Sequence, residues 1–561
     1  MRFLASIPSW SLPIAAALGL ALTAPSGHGA PPPVEQGAVA TEHALSTRAA
    51  REMLRLGGNA VDAAIAAALT AGVVTPTSSG LGGGGFALVL GANELQPRVL
   101  DFREVAPRGV SLDALEKRPL PFEQRGHLVG VPGEPAGLWE LSKRFGKRPW
   151  SSLAQPAIRS AKLGFAVGPH LARMLGASGD LAREKPLAAL FFGGGTAKKE
   201  GAQIKNPELA RTLSRFAAEG PKAIYTGAIA QELVETARAA GSSIEQRDLD
   251  EYSVKERNAL HVAWAGHDVF TMPAPSAGGL LLAETLGTLS VAELTQLGYQ
   301  SGAAQHLVAE AFRSALADRF RYAGDPDFVP DPSARLLEPA RLAKKRVGFA
   351  LDRTHSLPLL VAEEHGTHHI VVADAAGTVV SLTTTVNRLF GAKLVAKNSG
   401  IVLNDELDDF TLGRDAAAFG LAQSPNTARA GARPVSSMTP TIVLKQGRPV
   451  LALGGSGGMA ISTNVTQLLL ARLAFGKSPA ELTRMPRIFM PLKNDTIWLE
   501  AGAPQALLDD LGFRGERVGK APPFGTAVQV LARDDGLWQA AADPRKYGVA
   551  SDSSGEHAAA P

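Results

Sequence analysis

Cysteine is absent from the 561 residues of this sequence. Its absence excludes disulfide bonds, thiolate nucleophiles and cysteine-ligated zinc. The fold therefore does not depend on the redox state of its surroundings, so either side of a membrane is open to it. Beyond the first 30 residues, the sequence also lacks an apolar run long enough to cross a bilayer.

A strong charge of either sign is missing as well. The formal net charge is +4, and hydrophobic residues make up 45% of the chain, which is typical of a globular protein. Short basic runs at Lys198–Lys199 and Lys344–Arg346 are isolated, and we interpret them as solvated surface charge. We therefore expect no nucleic-acid partner.

The first 30 residues have the parts of a secretory signal peptide. Arg2 gives a positive start, the apolar stretch of residues 12–23 is too short to span a bilayer, and small residues follow up to Ala30. We predict that residues 1–30 are a signal peptide and that the mature protein has no membrane anchor. The expected location is periplasmic or secreted.

The hydrophobic pattern changes along the chain from a helical to a strand-like period. A helix is predicted from Ser46, as its N-cap, to a stop at Gly57–Gly58, and a buried helix follows over residues 60–74. Four strands and a helix are predicted after His368, and the last dozen residues are predicted to be a frayed tail. A helix-rich first half and a strand-rich second half favour an α+β layered fold over a βαβ array.

The first strand of a predicted β-hairpin starts at or next to Thr367. A threonine at this place is by itself only a β-branched residue in its preferred setting. If the Gly366–Thr367 bond were broken, however, the new α-amino group, with an ordinary pKa of about 7.7–8.0, could take the proton of its own residue's hydroxyl. Thr367 would then be a nucleophile that needs no histidine.

Several short segments occur in an order that resembles the γ-glutamyltranspeptidases, which are N-terminal-nucleophile hydrolases. After Thr367 come TVN (Thr385 to Asn387), SGIVLNDELDDF (Ser399 to Phe410), PVSSMTPT (Pro434 to Thr441) and GGSGGM (Gly454 to Met459). Upstream, the matching segments are GGNAVDAA, GGGGFALV, DFREVAP, VGVPGEPAG, PAPSAGG and ADRFRYAGDPDFV. The resemblance covers about residues 36–546.

The resemblance implies a four-layer αββα sandwich built from two chains after autocleavage. The large subunit would be residues 31–366 and the small subunit residues 367–561, together forming a heterodimer. Thr367 would first cut the chain before itself and then take a γ-glutamyl group from glutathione or another γ-glutamyl compound. Water, an amino acid or a dipeptide would discharge this acyl-enzyme, and no cofactor or metal is implied.

The resemblance also implies roles for individual residues. In catalysis, Thr385 would orient the Thr367 hydroxyl, and Gly457 and Gly458 would direct backbone N–H groups at the oxyanion. The implied donor-binding residues are Arg103, Asn387, Glu406, Asp409, Ser436 and Ser437. A γ-glutamyl donor carries an α-carboxylate, which suits the planar fork of Arg103 and the two serine hydroxyls. It also carries an α-ammonium, which suits the two acidic side chains and the amide of Asn387.

A serine-hydrolase motif competes with this interpretation. Gly454–Gly458 matches G-x-S-x-G between a strand and a helix, as a nucleophile elbow does. If Ser456 were the nucleophile, a histidine should follow it in the chain. The only histidine downstream is His557, close to the end of the sequence, which disfavours this hypothesis.

Two binding-site patterns also compete. A metal site could use His365, His368 and His369 with neighbouring glutamates, but cleavage before Thr367 would separate the first histidine from the others. The other two would point to opposite faces of a strand. The GLGGGG run at Gly80–Gly85 follows a helix and opens a strand, which is the reverse of a nucleotide-binding loop. Close backbone packing explains these glycines better.

Some positions depart from the family pattern. His368 follows Thr367 where a second threonine or serine is common, and Ser456 stands where a proline often precedes the paired glycines. In the long stretch 411–433, Phe419 stands where a tyrosine is frequent, and phenylalanine cannot donate a hydrogen bond to Asn387. Two other function classes remain: an acylase for glutaryl-type side chains or poly-γ-glutamate, and an uncut homologue that only binds ligands.

Overall fold

The structure is a computed structural model that describes residues 37–183, 185–355, 357, 365–490, 496–500, 502–521 and 525–559. The predicted signal peptide of residues 1–30 lies outside the described residues. Within the described ranges, no helix combines the length and the apolar character that crossing a membrane requires.

Two large antiparallel sheets form the centre of the fold. Their strands, in chain order, are β1 (Ala38–Thr41), β2 (Gly84–Leu90), β3 (Arg98–Phe102), β4 (Lys255–Asn258), β5 (Leu260–Trp264), β6 (His267–Thr271), β7 (His365–Ala373), β8 (Val379–Arg388), β9 (Thr441–Lys445), β10 (Arg448–Ser456), β11 (Ala527–Asp534), β12 (Leu537–Ala541), β13 (Val549–Asp552) and β14 (Gly555–Ala558). The first sheet has eight strands in the order β14-β13-β1-β7-β8-β2-β3-β4. The second has six in the order β12-β11-β10-β9-β6-β5.

Helices cover the outer faces of both sheets. The longer ones are α1 (Ala44–Arg55), α2 (Ala60–Val74), α3 (Glu134–Phe145), α4 (Gln155–Leu163), α5 (Pro169–Ala177), α6 (Pro207–Glu219), α7 (Gly227–Ala239), α8 (Gly278–Thr288), α9 (Gly302–Tyr322), α10 (Pro339–Gly348), α11 (Ala460–Phe475) and α12 (Gln505–Phe513). Shorter helices are Leu112–Glu116, Trp150–Leu153, Lys185–Phe191, Lys222–Tyr225, Gln246–Asp250, Val291–Leu297, Ser333–Leu336, Gly413–Ala418 and Pro479–Arg484. Short strands lie at Phe165–Ala166, Phe192–Gly193, Thr196–Ala197, Gln203–Ile204, Val395–Ala396, Ile401–Val402, Ile488–Phe489, Thr496–Glu500 and Arg517–Ala521.

The alternation of side chains along β7 explains the layers. Ile370 and Val372 belong to the same apolar core as Ile65 of α2, whereas Val371 belongs to the core that contains Leu453 of β10. Successive strand residues point to opposite faces, so one face of the first sheet packs on helices and the other on the second sheet. With α8 and α11 on the far side of the second sheet, the predicted α+β, four-layer αββα sandwich is confirmed.

Two local predictions were wrong. Helix α1 begins two residues before Ser46, because His43 is the N-cap and its Nδ1 accepts a hydrogen bond from the Leu45 N–H. Ser46 instead donates its hydroxyl to the Ala67 carbonyl of α2. The predicted frayed tail contains β13 and β14, which form the edge of the first sheet, and Ala550 pairs with Ala40 of β1.

Candidate active site

The Gly366–Thr367 bond lies at an irregularity in the β7–β8 hairpin. Thr367 pairs with Thr385, and the register shifts between Gly366 and Thr367. The Thr367 Oγ1 and the Thr385 Oγ1 both donate to the Gly366 carbonyl at 2.8 Å, and the two hydroxyl oxygens are 3.3 Å apart. The hydroxyl of Thr385 also accepts the N–H of Asn387 at 2.9 Å, which fixes its orientation. Two hydroxyls therefore meet at one backbone carbonyl.

Gly366 is the residue that this arrangement requires. A Cβ at this position would come within 1.9 Å of the Thr77 carbonyl oxygen, which is far closer than real Cβ contacts. No side chain fits without moving the backbone that precedes β2. Thr367 itself is 3% exposed, so the hydroxyl pair is held inside the protein and not on its surface.

A glycine turn lies between β10 and α11. Strand β10 ends at Ser456, Gly457 and Gly458 have φ values of +114° and +62°, and α11 begins at Ala460. Positive φ of this kind favours glycine. Backbone N–H groups at the start of a helix carry partial positive charge, which suits an anionic intermediate.

One cavity of about 330 Å³ brings most of the predicted site residues together. Its walls include Thr367, Thr385, Gly458, Arg103, Asn387, Glu406, Asp409, Ser436 and Ser437. Gly457 does not line this cavity, although its neighbour in the turn does. Residues that lie far apart in the sequence, from β3 to α11, thus share one space.

Arg103 is paired with two acidic side chains. It follows β3 and is 1% exposed. Its guanidinium pairs with Glu406 and, at 2.5 Å, with Asp409, while its Nε donates to the Pro434 carbonyl. Burial raises the pKa of the Glu406 carboxyl, and the charge of Arg103 opposes this rise. Arg103, the predicted ligand of the donor carboxylate, therefore pairs with Glu406 and Asp409, the predicted ligands of the donor ammonium.

Arg319 is one of several further arginines in the cavity wall that the sequence analysis did not single out. It lies near the end of α9, and its Nη1 donates to the Ser437 hydroxyl at 2.5 Å. Burial lowers the pKa of Arg319 to about 10, an effect that Asp409 opposes and Arg103 reinforces. It remains charged at neutral pH. Its segment, ADRFRYAGDPDFV, was recognised, but nothing in the pattern distinguished this arginine from Arg321.

Lys546 is a second residue that the sequence analysis missed. Its ammonium donates to the Thr367 carbonyl at 3.1 Å and to the Ser456 hydroxyl at 2.7 Å, and it lies 3.1 Å from the Glu42 carboxylate. Lys546 and Glu42 are both buried. The two residues are about 500 positions apart in the chain, so spacing offered no signal for this pair.

The competing motifs have ordinary structural contacts. The Ser456 hydroxyl accepts from Lys546, while His557 contacts Ser554 and Asp552 at the sheet edge. Histidines 368 and 369 are buried and contact threonine hydroxyls on different elements. Among the described residues, no group of three or more histidine, aspartate and glutamate side chains is arranged to hold a metal.

The glycines of the GLGGGG run serve close packing. A Cβ on Gly82, Gly83 or Gly85 would lie 2.0–2.1 Å from a backbone carbonyl oxygen of a neighbouring segment. The run therefore lets β2 approach β8 and the Ile401–Val402 strand. This confirms the packing interpretation of these glycines.

The stretch 411–433 forms part of the cavity wall through Thr411, Leu412, Arg414, Asp415 and Asn426. Phe419 is not part of that wall and stacks on Phe320 of α9, with ring centroids 4.9 Å apart. Asn387 donates its amide to the Asp405 carbonyl instead. In this protein the phenylalanine anchors the stretch to α9.

Comparison with known proteins agrees with this geometry. A family model described as Gamma-glutamyltranspeptidase matches residues 46–553. The chain belongs to the γ-glutamyltranspeptidase family. The Glutathione hydrolase proenzyme of Pseudomonas aeruginosa is 35% identical over 554 residues, covering 95% of this chain and 97% of the relative. The family resemblance inferred from the sequence is therefore confirmed.

Two solved structures extend the comparison. The cephalosporin acylase from Bacillus halodurans has a TM-score of 0.81 over 94% of this chain and 99% of that chain, and at 24% identity it bears on the fold alone. A chain of the γ-glutamyltranspeptidase from Pseudomonas nitroreducens, complexed with L-DON, is 35% identical with a TM-score of 0.51. That match covers 94% of the solved chain but 56% of this one.

Proposed function

We propose that this γ-glutamyltranspeptidase family member cuts itself before Thr367 and then transfers or hydrolyses γ-glutamyl groups of glutathione and related compounds. The observation that carries the proposal is the pair of threonine hydroxyls at the Gly366 carbonyl, inside a cavity lined by both charge signs. The activity of the glutathione hydrolase from Pseudomonas aeruginosa, 35% identical, supports the choice of substrate.

Self-cleavage begins when the Thr367 hydroxyl oxygen attacks the Gly366 carbonyl carbon. The hydroxyl proton passes to the Thr367 nitrogen as the C–N bond breaks, which leaves an ester between the two residues. Water then hydrolyses the ester, giving a Gly366 carboxylate and a free α-amine on Thr367. The Thr385 hydroxyl, 2.8 Å from the carbonyl oxygen, stabilises the negative charge that forms there.

The mature site then repeats the same chemistry on a donor. The Thr367 amine takes the hydroxyl proton, and the hydroxyl oxygen attacks the γ-carbonyl of the donor. The proton goes to the leaving amine, and water or an acceptor amino acid or dipeptide later breaks the acyl ester. We assign the developing oxyanion to the N–H groups of the Gly457–Gly458 turn.

The charges of the cavity match a zwitterionic donor. Arg103 and Arg319 are cationic, and the carboxylates of Glu406 and Asp409 both pair with Arg103. A γ-glutamyl group can replace these internal ion pairs with pairs of its own. Its α-carboxylate binds Arg103, and its α-ammonium binds the carboxylates of Glu406 and Asp409. Ser436, Ser437 and Asn387 supply further hydrogen bonds. A glutaryl group lacks the ammonium and would leave the buried acids unpaired.

A comparison of two chromogenic anilides tests this function. We expect the purified, self-cleaved protein to hydrolyse γ-glutamyl-p-nitroanilide much faster than glutaryl-p-nitroanilide, which differs only in the α-ammonium. A faster glutaryl rate would make the protein an acylase of the other class. A single uncut chain with neither activity would make it a binding homologue.

Arg319 is proposed as a second ligand of the donor carboxylate. We expect Arg319→Met to lower kcat/KM for γ-glutamyl-p-nitroanilide by about 10-fold to 100-fold, since a charge-assisted hydrogen bond contributes roughly 1.5–3 kcal/mol. The slow rate with γ-aminobutyryl-p-nitroanilide, which lacks the α-carboxylate, should not change.

The matched control for this prediction is Arg321→Met on the same helix. Arg321 lies over the Phe419 ring and does not line the cavity. Equal losses with both anilides in Arg319→Met would argue against a contact with the carboxylate. A loss seen with glutathione but not with the anilide would instead assign Arg319 to the leaving group.

We further propose that the mature protein is a heterodimer of residues 31–366 and 367–561 and that residues 1–30 direct it to the periplasm or the outside of the cell. The match to 94% of a solved family chain that spans 56% of this one supports a cut near the middle. Cell fractionation with intact-mass measurement tests both statements, because an uncleaved leader in the cytosolic fraction would contradict export.

A further inference from the structure

The ammonium of Lys546 has three acceptors, which equals the number of its protons. They are the Thr367 carbonyl at 3.1 Å, the Ser456 hydroxyl at 2.7 Å and the Glu42 carboxylate at 3.1 Å. The lysine is 3% exposed, so no solvent competes for these contacts. Each contact therefore restrains the position of the groups around it.

The three acceptors belong to three separate parts of the fold. Thr367 is the proposed nucleophile in β7, and Ser456 is the last residue of β10, directly before the glycine turn. Glu42 follows β1, and its other oxygen accepts the N–H of His369 at 3.0 Å. The Glu42–Lys546 pair thus contacts the first part of β7 at two residues, Thr367 and His369, and contacts the glycine turn through Ser456.

We infer that Lys546 is a positioning residue that holds the nucleophile and the glycine turn in register. This inference rests on the proposed function, in which Thr367 attacks and the turn stabilises the oxyanion. The hydroxyl of Ser456 makes the link to the turn, because its oxygen accepts from the Lys546 ammonium at 2.7 Å. Lys546 contacts neither the donor charges nor the residues that bind them.

The link predicts an effect on the chemical step and not on donor binding. Without it, the turn can shift relative to the Thr367 hydroxyl, and a misplacement of about 1 Å costs on the order of 100-fold in rate. Donor affinity should persist, since Arg103, Glu406 and Asp409 lie outside the Lys546 network. A lower kcat with an unchanged KM is therefore expected.

The experiment compares variants of the full-length protein. Ser456→Ala removes one acceptor of Lys546 but leaves the Glu42 carboxylate paired with the lysine. The double variant Lys546→Met/Glu42→Gln removes the whole ion pair, so that neither charge is left buried alone. Lys546→Arg restores a cation. The control is Lys393→Met, which removes a part-buried ion pair between Lys393 and Asp180. The two side chains are 2.6 Å apart, and neither lines the cavity. Melting temperature, extent of cleavage, kcat and KM with γ-glutamyl-p-nitroanilide are measured for each.

We expect Ser456→Ala to lower kcat by about tenfold and the double variant to lower it by about 100-fold or more, both with KM unchanged. Lys546→Arg should keep part of the kcat that the double variant loses, and Lys393→Met should have the wild-type kcat. A double variant that melts like the wild type but remains uncut agrees with this, because self-cleavage uses the same hydroxyl. If the double variant fails to fold, Ser456→Ala decides. Unchanged kcat in Ser456→Ala overturns the inference, whereas an inactive wild type overturns the proposed function as well.

Discussion

Replacing Thr367 with alanine should leave a single uncut chain with no measurable γ-glutamyl hydrolysis. The substitution removes only the hydroxyl and one methyl group, so β7 and its pairing with β8 should persist. Both self-cleavage and turnover need the same oxygen, and the loss of a nucleophile costs far more than a thousandfold in rate. Denaturing electrophoresis with intact-mass measurement reads the first effect, and the anilide assay reads the second.

Thr367→Ser is the matched control for this variant. Serine keeps the hydroxyl and, after cleavage, the α-amine, so cleavage and activity should both remain at a reduced rate. A Thr367→Ala chain that is still cut between residues 366 and 367 would assign cleavage to another group or to a protease. A cut and active alanine variant would remove Thr367 from the chemistry altogether.

Arg103→Gln should mature normally and lose most of its donor binding. Removing one partner of a buried, hydrogen-bonded charge pair typically costs about 2–5 kcal/mol. We therefore expect kcat/KM for γ-glutamyl-p-nitroanilide to fall by about 30-fold to 5,000-fold, mainly through KM. Steady-state kinetics on the cleaved protein measures this split.

Two comparisons keep this prediction specific. Arg433→Gln removes another buried arginine, paired with Asp101 and absent from the cavity wall, and should lower the melting temperature without changing KM. The γ-aminobutyryl anilide, which lacks the α-carboxylate, tests whether Arg103 acts on that group, because its slow rate should not change in Arg103→Gln. Failure of Arg103→Gln to cleave itself would show that this arginine organises the precursor and not only the donor.

The sequence identified the parts of the site that local segments carry. Thr367, the TVN segment and the acidic turn at Glu406–Asp409 each lie within a short motif, and the structure brings all of them to one cavity. The motifs could not reveal that Arg103 pairs with the two acids. That pairing depends on the distance between segments about 300 residues apart.

The residues that the sequence analysis missed are defined by long-range contacts. Lys546 meets Thr367 across 179 residues, and Arg319 meets Ser437 across 118. The strands β13 and β14 were predicted to be a tail because their polar composition suits a sheet edge as well as a loop. Strand β13 pairs with β1, about 500 residues earlier in the chain, and β14 pairs with β13, which no local periodicity can indicate.

The αββα architecture could be predicted because the family resemblance implied it, while periodicity alone gave only an α+β class. The three strands β4 to β6 inside the helix-rich half were not predicted. Strands β4 and β5 alternate between partly buried and exposed residues at the edges of the two sheets, whereas β6 lies between β5 and β9. Edge strands of this kind depend on the neighbouring strand for their stability and less on their own composition.

Amino-terminal sequencing of the shorter fragment shows directly whether self-cleavage makes Thr367 an N-terminal nucleophile. We expect this fragment to begin with Thr367, followed by His368 and His369, and the same preparation to hydrolyse γ-glutamyl-p-nitroanilide. A fully active preparation whose shorter fragment begins at any other residue, or that contains only uncut chain, would rule out Thr367 as an N-terminal nucleophile.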